Sequence, residues 1–117
     1  MQTVRVETAD GTAVCERCLV ADSFWTRFRG FMGRPEPAAG EGILFRPGGS
    51  IHMFFMRYPL DVVFCDRELR VLGIAASLRP WRTAGRRGAK LTFELRAGEA
   101  ARRGIAEGTQ LRLVPRN

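Results

Sequence analysis

The fold of this chain depends on residues 50–65, which read Ser50-Ile51-His52-Met53-Phe54-Phe55-Met56-Arg57-Tyr58-Pro59-Leu60-Asp61-Val62-Val63-Phe64-Cys65. Two short apolar segments, 51–56 and 61–65, flank a turn signal at Tyr58-Pro59, and each has the composition of a strand. Similar segments recur at regular intervals: Ile43–Phe45, Leu69–Ala75, Leu91–Leu95 and Leu111–Val114. Evenly spaced short strands favour a sandwich or barrel over a parallel α/β fold.

The two ends of the chain add a hairpin and a short helix. Residues 3–8 alternate valine with polar residues, Asp10-Gly11 is a tight-turn signal, and residues 12–20 resume strand character. These features predict a β-hairpin. Towards the other end, Gly98 to Arg103 has a helical pattern, and Gly104 is placed to end that helix.

A second helix is predicted after Asp22 or Ser23, because either side chain can accept a hydrogen bond from a free backbone N–H. Gly33, followed by Pro35, is expected to end it. The apolar residues recur at helical spacing and are predicted to pack in the core; they are Phe24, Trp25, Phe28, Phe31 and Met32. The predicted fold is therefore mainly β: a compact antiparallel β-sandwich or barrel-like domain with two short helices.

Composition limits the class of protein. The 117 residues fit one domain, residues 1–117, that can bury a core without metals or disulfides. No apolar run approaches the roughly 18–20 residues that span a membrane, so no membrane association is predicted. Residues 1–7 lack the basic and hydrophobic regions of a signal peptide. We therefore expect a cytoplasmic protein.

The three cysteines are predicted to be reduced, since a secreted scaffold more often has an even number. Cys15 and Cys18 form a CxxC pattern without a second pair, and they lie in a strand-like run where no helix N-terminus would stabilise a thiolate. Two small apolar residues are the favoured interpretation, ahead of a redox or metal role. We predict no cofactor and no metal site.

The residues with the most chemical potential are His52, Arg57 and Asp61. His52 is the only histidine of the chain, and on a strand it shares a face with Phe54 and Met56, which are predicted to lie in the core. One interpretation makes His52 a general base or ligand donor, Arg57 an anion clamp and Asp61 an orienting group. The other makes His52 a satisfied histidine at a sheet edge and Arg57–Asp61 a structural salt bridge.

A basic segment forms the second candidate. In Arg79-Pro80-Trp81-Arg82, the indole can stack on a planar ligand or a sugar while the guanidinium groups bind anions, or it can plug the end of the sandwich. The net charge is +7, and five basic residues and no acid lie between Arg79 and Lys90. This charge is compatible with nucleic-acid binding that weakens as salt rises, although scattered arginines also arise from genome base composition.

The chain resembles the DUF192 family of small uncharacterised prokaryotic proteins, over roughly residues 14–113. The motifs that carry the resemblance are Arg27-Phe28-Arg29-Gly30-Phe31-Met32-Gly33-Arg34, Gly40-Glu41-Gly42-Ile43-Leu44-Phe45, Met56-Arg57-Tyr58-Pro59-Leu60-Asp61-Val62-Val63-Phe64, Phe93-Glu94-Leu95-Arg96-Ala97-Gly98-Glu99-Ala100, Arg103-Gly104-Ile105 and Gly108. The chain departs from the family at 54–59, where many members resemble Phe-Trp-Met-Lys-Asn-Thr, and at Thr109, where an Asp is usual. The resemblance implies a compact β-rich fold of sandwich type and brings no established activity.

The sequence thus predicts a binding module for a small polar or anionic ligand, or for an acidic partner segment. The predicted ligand-binding residues are Arg34, His52, Arg57, Asp61, Trp81 and Arg82. One alternative is a hydrolase- or isomerase-like enzyme that uses His52 as base, and the other is nucleic-acid binding through residues 79–90.

Overall fold

The computed structural model describes residues 2–116. The strands are β1 (Thr3–Thr8), β2 (Ala13–Ala21), β3 (Glu41–Phe45), β4 (Ser50–His52), β5 (Leu60–Cys65), β6 (Val71–Leu78), β7 (Thr83–Gly85), β8 (Leu91–Arg96) and β9 (Leu111–Pro115). The helices are α1 (Phe24–Arg29) and α2 (Glu99–Arg102). Across these residues, neither helix has the length and apolar character needed to cross a membrane. The predicted mainly β fold with two short helices is confirmed.

Seven strands form one mixed sheet in the order β6-β5-β8-β3-β2-β1-β9, and β4 pairs with β7 in a separate two-stranded sheet. Neighbouring strands of the large sheet run antiparallel, apart from β2 and β3, which are parallel. The parallel pair needs a crossover, and residues 22–40, with α1, provide it. This crossover lies beside the site described below.

The large sheet curls until its two edges meet at one end. Arg70 and Gln110 form an isolated antiparallel bridge. Beside it, Leu111 N–H donates to the Leu69 carbonyl at 3.0 Å, and Val71 N–H donates to the Thr109 carbonyl at 2.9 Å. The contact is confined to these few residues, so the sheet is strongly curved without being a closed barrel.

Both faces of the central strands are buried. Alternate side chains of a strand point to opposite faces, and Val63 and Phe93 belong to the apolar cluster on the inner, concave face. Ile43, Val62 and Phe64 belong to a second cluster on the outer face. The outer cluster is covered by the crossover and by the loops around the β4–β7 pair, which contribute buried side chains to it.

Helix α1 differs from the prediction in length and in burial. Ser23 caps it, because its hydroxyl accepts from Thr26 N–H while Thr26 Oγ1 accepts from Ser23 N–H. The helix ends at Arg29, not at Gly33, because Gly30 adopts φ +48° and ψ −126°, a conformation available to glycine.

The predicted core packing of the helix face is therefore wrong for its first three aromatic residues. Phe24, Trp25 and Phe28 are 75%, 69% and 48% exposed, whereas Phe31 is buried. The physical reason is that six helical residues lie on the surface of the protein. Phe31 reaches the outer core from the turn that follows Gly30.

The predicted strand 51–56 is also shorter than expected, since β4 ends at His52. Met53 and Met56 are buried while Phe54 and Phe55 are exposed, so Phe54 does not share a core face with Met56. The backbone of Met53 pairs with the following loop, donating to the Arg82 carbonyl at 2.8 Å and accepting from Trp81 N–H at 2.7 Å. The chain then turns through Phe55, which has φ +64°.

Asp61 is buried and serves the backbone. Its Oδ1 accepts from Ser77 N–H at 2.8 Å, and its Oδ2 accepts from Gly98 N–H at 3.0 Å and Ala100 N–H at 2.9 Å. The last two donors lie at the start of α2, where backbone N–H groups have no partner within the helix. The carboxylate therefore fastens β6 and α2 to β5.

We expect Asp61→Asn to lower the free energy of unfolding by about 3 kcal/mol, because a buried acceptor of three backbone hydrogen bonds is replaced by a group that presents N–H to N–H. Urea denaturation measures the loss. Asp22→Asn is the matched control: Asp22 is exposed and its nearest cation, Arg46, is 3.9 Å away, so we expect a change within about 0.5 kcal/mol. Equal losses in the two variants would contradict the structural role of Asp61.

Candidate functional site

An open cleft of about 290 Å³ lies between the outer face of the large sheet and the segments that cover it. The sheet forms the floor of the cleft, and strand β8 contributes one polar side chain to this floor. Helix α1 and strand β4 form the sides. The lining includes Phe24, Arg27, Phe28, Arg29, Phe31, Phe45, Ser50, His52, Met56 and Glu94. The cleft thus combines apolar walls with a few polar groups, the usual composition of a small-molecule site.

The floor of the cleft contains the buried carboxyl of Glu94. Phe93 and Leu95 point to the inner core, so Glu94 points to the outer face, where its cross-strand neighbours are Ile43 and Val62. In the described part of the chain, Glu94 Oε1 has no hydrogen-bond partner. Burial raises the pKa of this carboxyl from 4.5 to about 8, so the group is mainly neutral at pH 7.

Gly30 makes room for this carboxyl. A Cβ atom at position 30 would stand 3.3 Å from Glu94 Oε1 and 3.1 Å from the Phe45 ring, both tighter than ordinary contacts. The turn that ends α1 therefore passes directly over the floor of the cleft, and a side chain at position 30 would crowd Glu94 and Phe45.

A chain of rings runs from the cleft across the surface, and we call it the aromatic rim. The ring centroids are 6.0 Å apart for Trp25–Phe28, 5.5 Å for Phe28–His52, 5.0 Å for His52–Phe54, 6.0 Å for Phe54–Trp81 and 4.9 Å for Phe55–Trp81. Phe28 and His52 line the cleft. Contiguous exposed apolar surface of this kind commonly marks an interaction site.

The structure brings three of the six predicted site residues to this region. His52 lies in the rim and in the cleft, and Trp81, which is 58% exposed, lies at the far end of the rim beside Arg82. The exposure of Trp81 excludes the interpretation in which it plugs the sandwich. Phe54 N–H donates to His52 Nδ1 at 3.3 Å, so a neutral imidazole in this arrangement carries its proton on Nε2.

The other three predicted residues lie elsewhere. Arg34 Nε donates to the Gly30 carbonyl at 3.0 Å, and its side chain lines a different surface hollow with Leu19 and Phe31. Partial burial lowers the pKa of Arg34. Arg57 is exposed and is not part of the cleft lining, while Asp61 is committed to backbone N–H groups.

Sequence reasoning missed Glu94 as a site residue. Strand β8 alternates Phe93 and Leu95 with polar residues, and that pattern ordinarily places a glutamate on a solvent-facing side. Only the crossover above it makes the outer face an interior one. The available signal was weaker: an acid in a strand between two mainly apolar strands, opposite Ile43 and Val62.

The remaining candidates stay predictions. Arg79, Arg82, Arg86, Arg87 and Lys90 are all exposed around β7, and Arg86 lies 3.7 Å from Glu107. This arrangement neither supplies nor removes support for nucleic-acid binding. Within residues 2–116, no group of three His, Cys, Asp or Glu side chains is placed to hold a metal ion.

The cysteines are free and buried, as their interpretation as small apolar residues requires. The Cys15 side chain, together with burial, raises the pKa of Cys18. Burial raises the pKa of Cys65 to about 12. Both thiols are therefore poor nucleophiles at neutral pH.

The fold and the cleft define a compact, mainly β domain with an aromatic-rimmed opening on one face of its sheet. A family model described as uncharacterized ACR, the DUF192 family, matches residues 5–113. The chain belongs to this family, which confirms the resemblance noted in the sequence.

The curated relatives that match this chain are named as UPF0127 proteins, a name that states no activity. A UPF0127 protein of Thermococcus sibiricus is 37% identical over 89 residues, which are 70% of this chain and 56% of that relative. A UPF0127 protein of Pyrococcus abyssi is 39% identical over 69 residues, again 56% of its length. The chain thus spans little more than half the length of these curated relatives.

Two crystal structures have the same fold. A protein of unknown function from Novosphingobium aromaticivorans has a TM-score of 0.80 and 28% sequence identity, covering 94% of this chain and 83% of that one. A protein described as a putative transcription regulator from Sinorhizobium meliloti has a TM-score of 0.81 and 27% identity, covering 96% and 92%.

We expect Gly30→Ala to lower the free energy of unfolding by about 2–4 kcal/mol, from backbone strain at positive φ plus the clash with Glu94 and Phe45. Gly33→Ala is the matched control, since Gly33 has φ +71° but nothing within 4 Å of an added Cβ. It should lose only about 1–2 kcal/mol from strain. Denaturant unfolding of the two variants measures the difference, and equal losses would show that the space above Glu94 is not constrained.

Glu94 should also make stability depend on pH. Its carboxyl has a higher pKa in the folded state, about 8, than its ordinary value of 4.5, so the folded state holds the proton over the interval between them. The stability that Glu94 contributes is therefore fully present below its unfolded-state pKa of 4.5. As the pH rises from there to about 8, that stability is lost by about 1.4 kcal/mol per pH unit. Glu94→Gln should lack this slope. Urea denaturation of both proteins from about pH 5 to about pH 9 tests the difference, and parallel curves would contradict it.

Proposed function

We propose that this protein is a binding module whose cleft takes a small polar or anionic ligand. The observation that supports the proposal is the buried carboxyl of Glu94, which lines the open cleft and whose Oε1 has no hydrogen-bond partner in residues 2–116. A buried polar atom without a partner costs about 1–3 kcal/mol. A ligand that forms a hydrogen bond to this carboxyl recovers that cost, which a chain atom does not do here.

The apolar walls and the rim favour a ligand with an apolar or planar part. The cleft volume of about 290 Å³ is close to the lower limit of small-molecule sites, roughly 300–1,000 Å³. An acidic partner segment that followed the aromatic rim beyond the cleft would reach Trp81 and Arg82. In that case the indole would stack on the segment and the guanidinium would meet its negative charge.

Positive charge at the sides of the cleft favours a polar or anionic group. Arg27 Nη1 donates to the Pro47 carbonyl at 3.4 Å, and Arg29 Nε donates to the Met32 carbonyl at 3.2 Å. Each guanidinium has five N–H donors in a fixed plane. One is used in each case, so the rest can meet a ligand.

Binding is favoured over hydrolysis by the state of the polar side chains. Ser50 lines the cleft beside His52, but in the described residues the two side chains form no hydrogen bond with each other. A serine nucleophile needs such a base within hydrogen-bond reach. The expected cytoplasmic location stays a prediction.

A thermal-shift screen of small polar and anionic compounds tests this proposal. A ligand present at a hundred times its Kd adds about 2.7 kcal/mol to the free energy of unfolding, so a true ligand raises Tm measurably. Phe28→Ala removes a ring that belongs to both the cleft and the rim, and we expect it to abolish the rise for compounds that stabilise the native chain. Trp25→Ala, at the end of the rim and outside the cleft lining, is the control and should retain it. Stabilisation that persists in Phe28→Ala would place the ligand elsewhere and overturn the assignment.

A further inference from the structure

We infer that the ligand of this cleft is an organic anion with an apolar body, one of whose oxygens accepts a hydrogen bond from the protonated Glu94 carboxyl. The inference rests on the proposed function and specifies the chemistry of its ligand. It assigns Glu94 as a donor at the floor and the two arginines of α1 as the groups that meet the negative charge.

The donor role of Glu94 follows from its surroundings. Its cross-strand neighbours are Ile43 and Val62, and it lies beside Gly30, where an added Cβ would stand 3.3 Å from Glu94 Oε1. In residues 2–116, no cation lies within 4.0 Å of this carboxyl. An ionised carboxylate would be costly here without a partner. The neutral form has an O–H that can donate, and apolar surroundings hold a carboxylic acid in that form.

The charges around the cleft decide between an anion and a cation. A buried carboxyl among aromatic rings could also receive an ammonium group, because aromatic faces attract cations. However, Arg27 and Arg29 project from α1 into the lining, and Glu94 is the one acid among the described lining residues. With Glu94 neutral, the lining carries two positive charges, which repel a cation and attract an anion.

Two further titratable groups lie close by and must be separated from Glu94 in any test. His52 on β4 lines the cleft. Tyr58, in the loop before β5, has its pKa raised first by burial and then by the charge of Glu94. Tyr58 donates to the Arg34 carbonyl at 2.9 Å, so its hydroxyl is already used outside the cleft.

The apolar part of the ligand is expected to lie between aromatic rings. Phe28, Phe31 and Phe45 contribute to the lining together with Met56, and thioether and ring surfaces pack well on a planar hydrocarbon body. A molecule with one ring and one short acidic arm matches both the walls and the polar groups.

Three probes with the same ring test the charge of the ligand: phenylacetate, phenylacetamide and 2-phenylethylammonium. Chemical-shift titration of the ¹⁵N-labelled full chain at pH 7 should show phenylacetate binding most tightly, with perturbed amides at Gly30, His52 and Glu94. Phenylacetamide should bind more weakly and 2-phenylethylammonium weakest. Binding that needs the protonated carboxyl should weaken about tenfold for each pH unit above about 8.

Substitutions at Glu94 separate donation from charge. Glu94→Gln keeps an N–H donor, so phenylacetate should still bind and the loss above pH 8 should disappear. Glu94→Leu has no donor and should bind phenylacetate at least about tenfold more weakly at pH 7. His52→Gln should retain the loss of binding at high pH, which assigns that loss to Glu94.

Two results would overturn the inference and leave the proposed function standing. One is tighter binding of 2-phenylethylammonium that increases with pH, and the other is phenylacetate binding in the cleft that does not change between pH 7 and about pH 9.5. Absence of any perturbation by phenylacetate at millimolar concentration also overturns the inference. The proposed function is then decided by the thermal-shift screen and the Phe28→Ala variant.

Discussion

Strands β3, β5 and β8 must be buried on both faces, and the rest of the structure depends on this constraint. Their inner side chains are covered when the large sheet curls and its edges meet near Arg70 and Gln110. Their outer side chains need a second cover, and burying each large apolar side chain is worth about 1.5–3 kcal/mol. The crossover between β2 and β3, the loop after β4 and the loop after β7 supply that cover, so these irregular segments are as much a part of the core as the strands.

A cover made of turns leaves openings where a helix or sheet would not. Phe55 and Trp81 adopt positive φ values of 64° and 70°, which cost free energy in residues with a large side chain. The backbone hydrogen bonds of Met53 to the 79–82 loop hold this arrangement. The aromatic side chains that the turns direct outwards form the aromatic rim, and the gap under Gly30 becomes the cleft. The candidate site is therefore a consequence of how the outer face is covered.

The sequence predicts the strands well because their signals are local. Residues 43–45, 91–95 and 111–114 fall within strands of the structure, since apolar runs bounded by turn residues report on a few neighbours only. The predictions for residues 24–32 and 51–56 were wrong because non-local features interrupt their local patterns. Gly30 ends the helix early, and the pairing of Met53 with the 79–82 loop ends the strand. The burial of Glu94 could not be predicted from local patterns, because it depends on a turn more than sixty residues earlier in the chain.

Glu94 is difficult to explain as a structural residue. Asp61, also a buried acid, has three backbone donors, and Glu99 is paired with Arg102 and Arg103 at 2.6 and 3.0 Å. The Asp61 carboxylate fastens β6 and α2 to β5, and the Glu99 carboxylate is paired with arginines at the end of its own helix. Among residues 2–116, Glu94 Oε1 has no partner, and an apolar side chain of similar size would complete the outer core and remove the desolvation cost. A group that reduces stability while facing an open cleft is typical of sites where stability is exchanged for binding. This contrast between the three acids makes Glu94, ahead of His52, the residue on which a functional assignment of this protein depends.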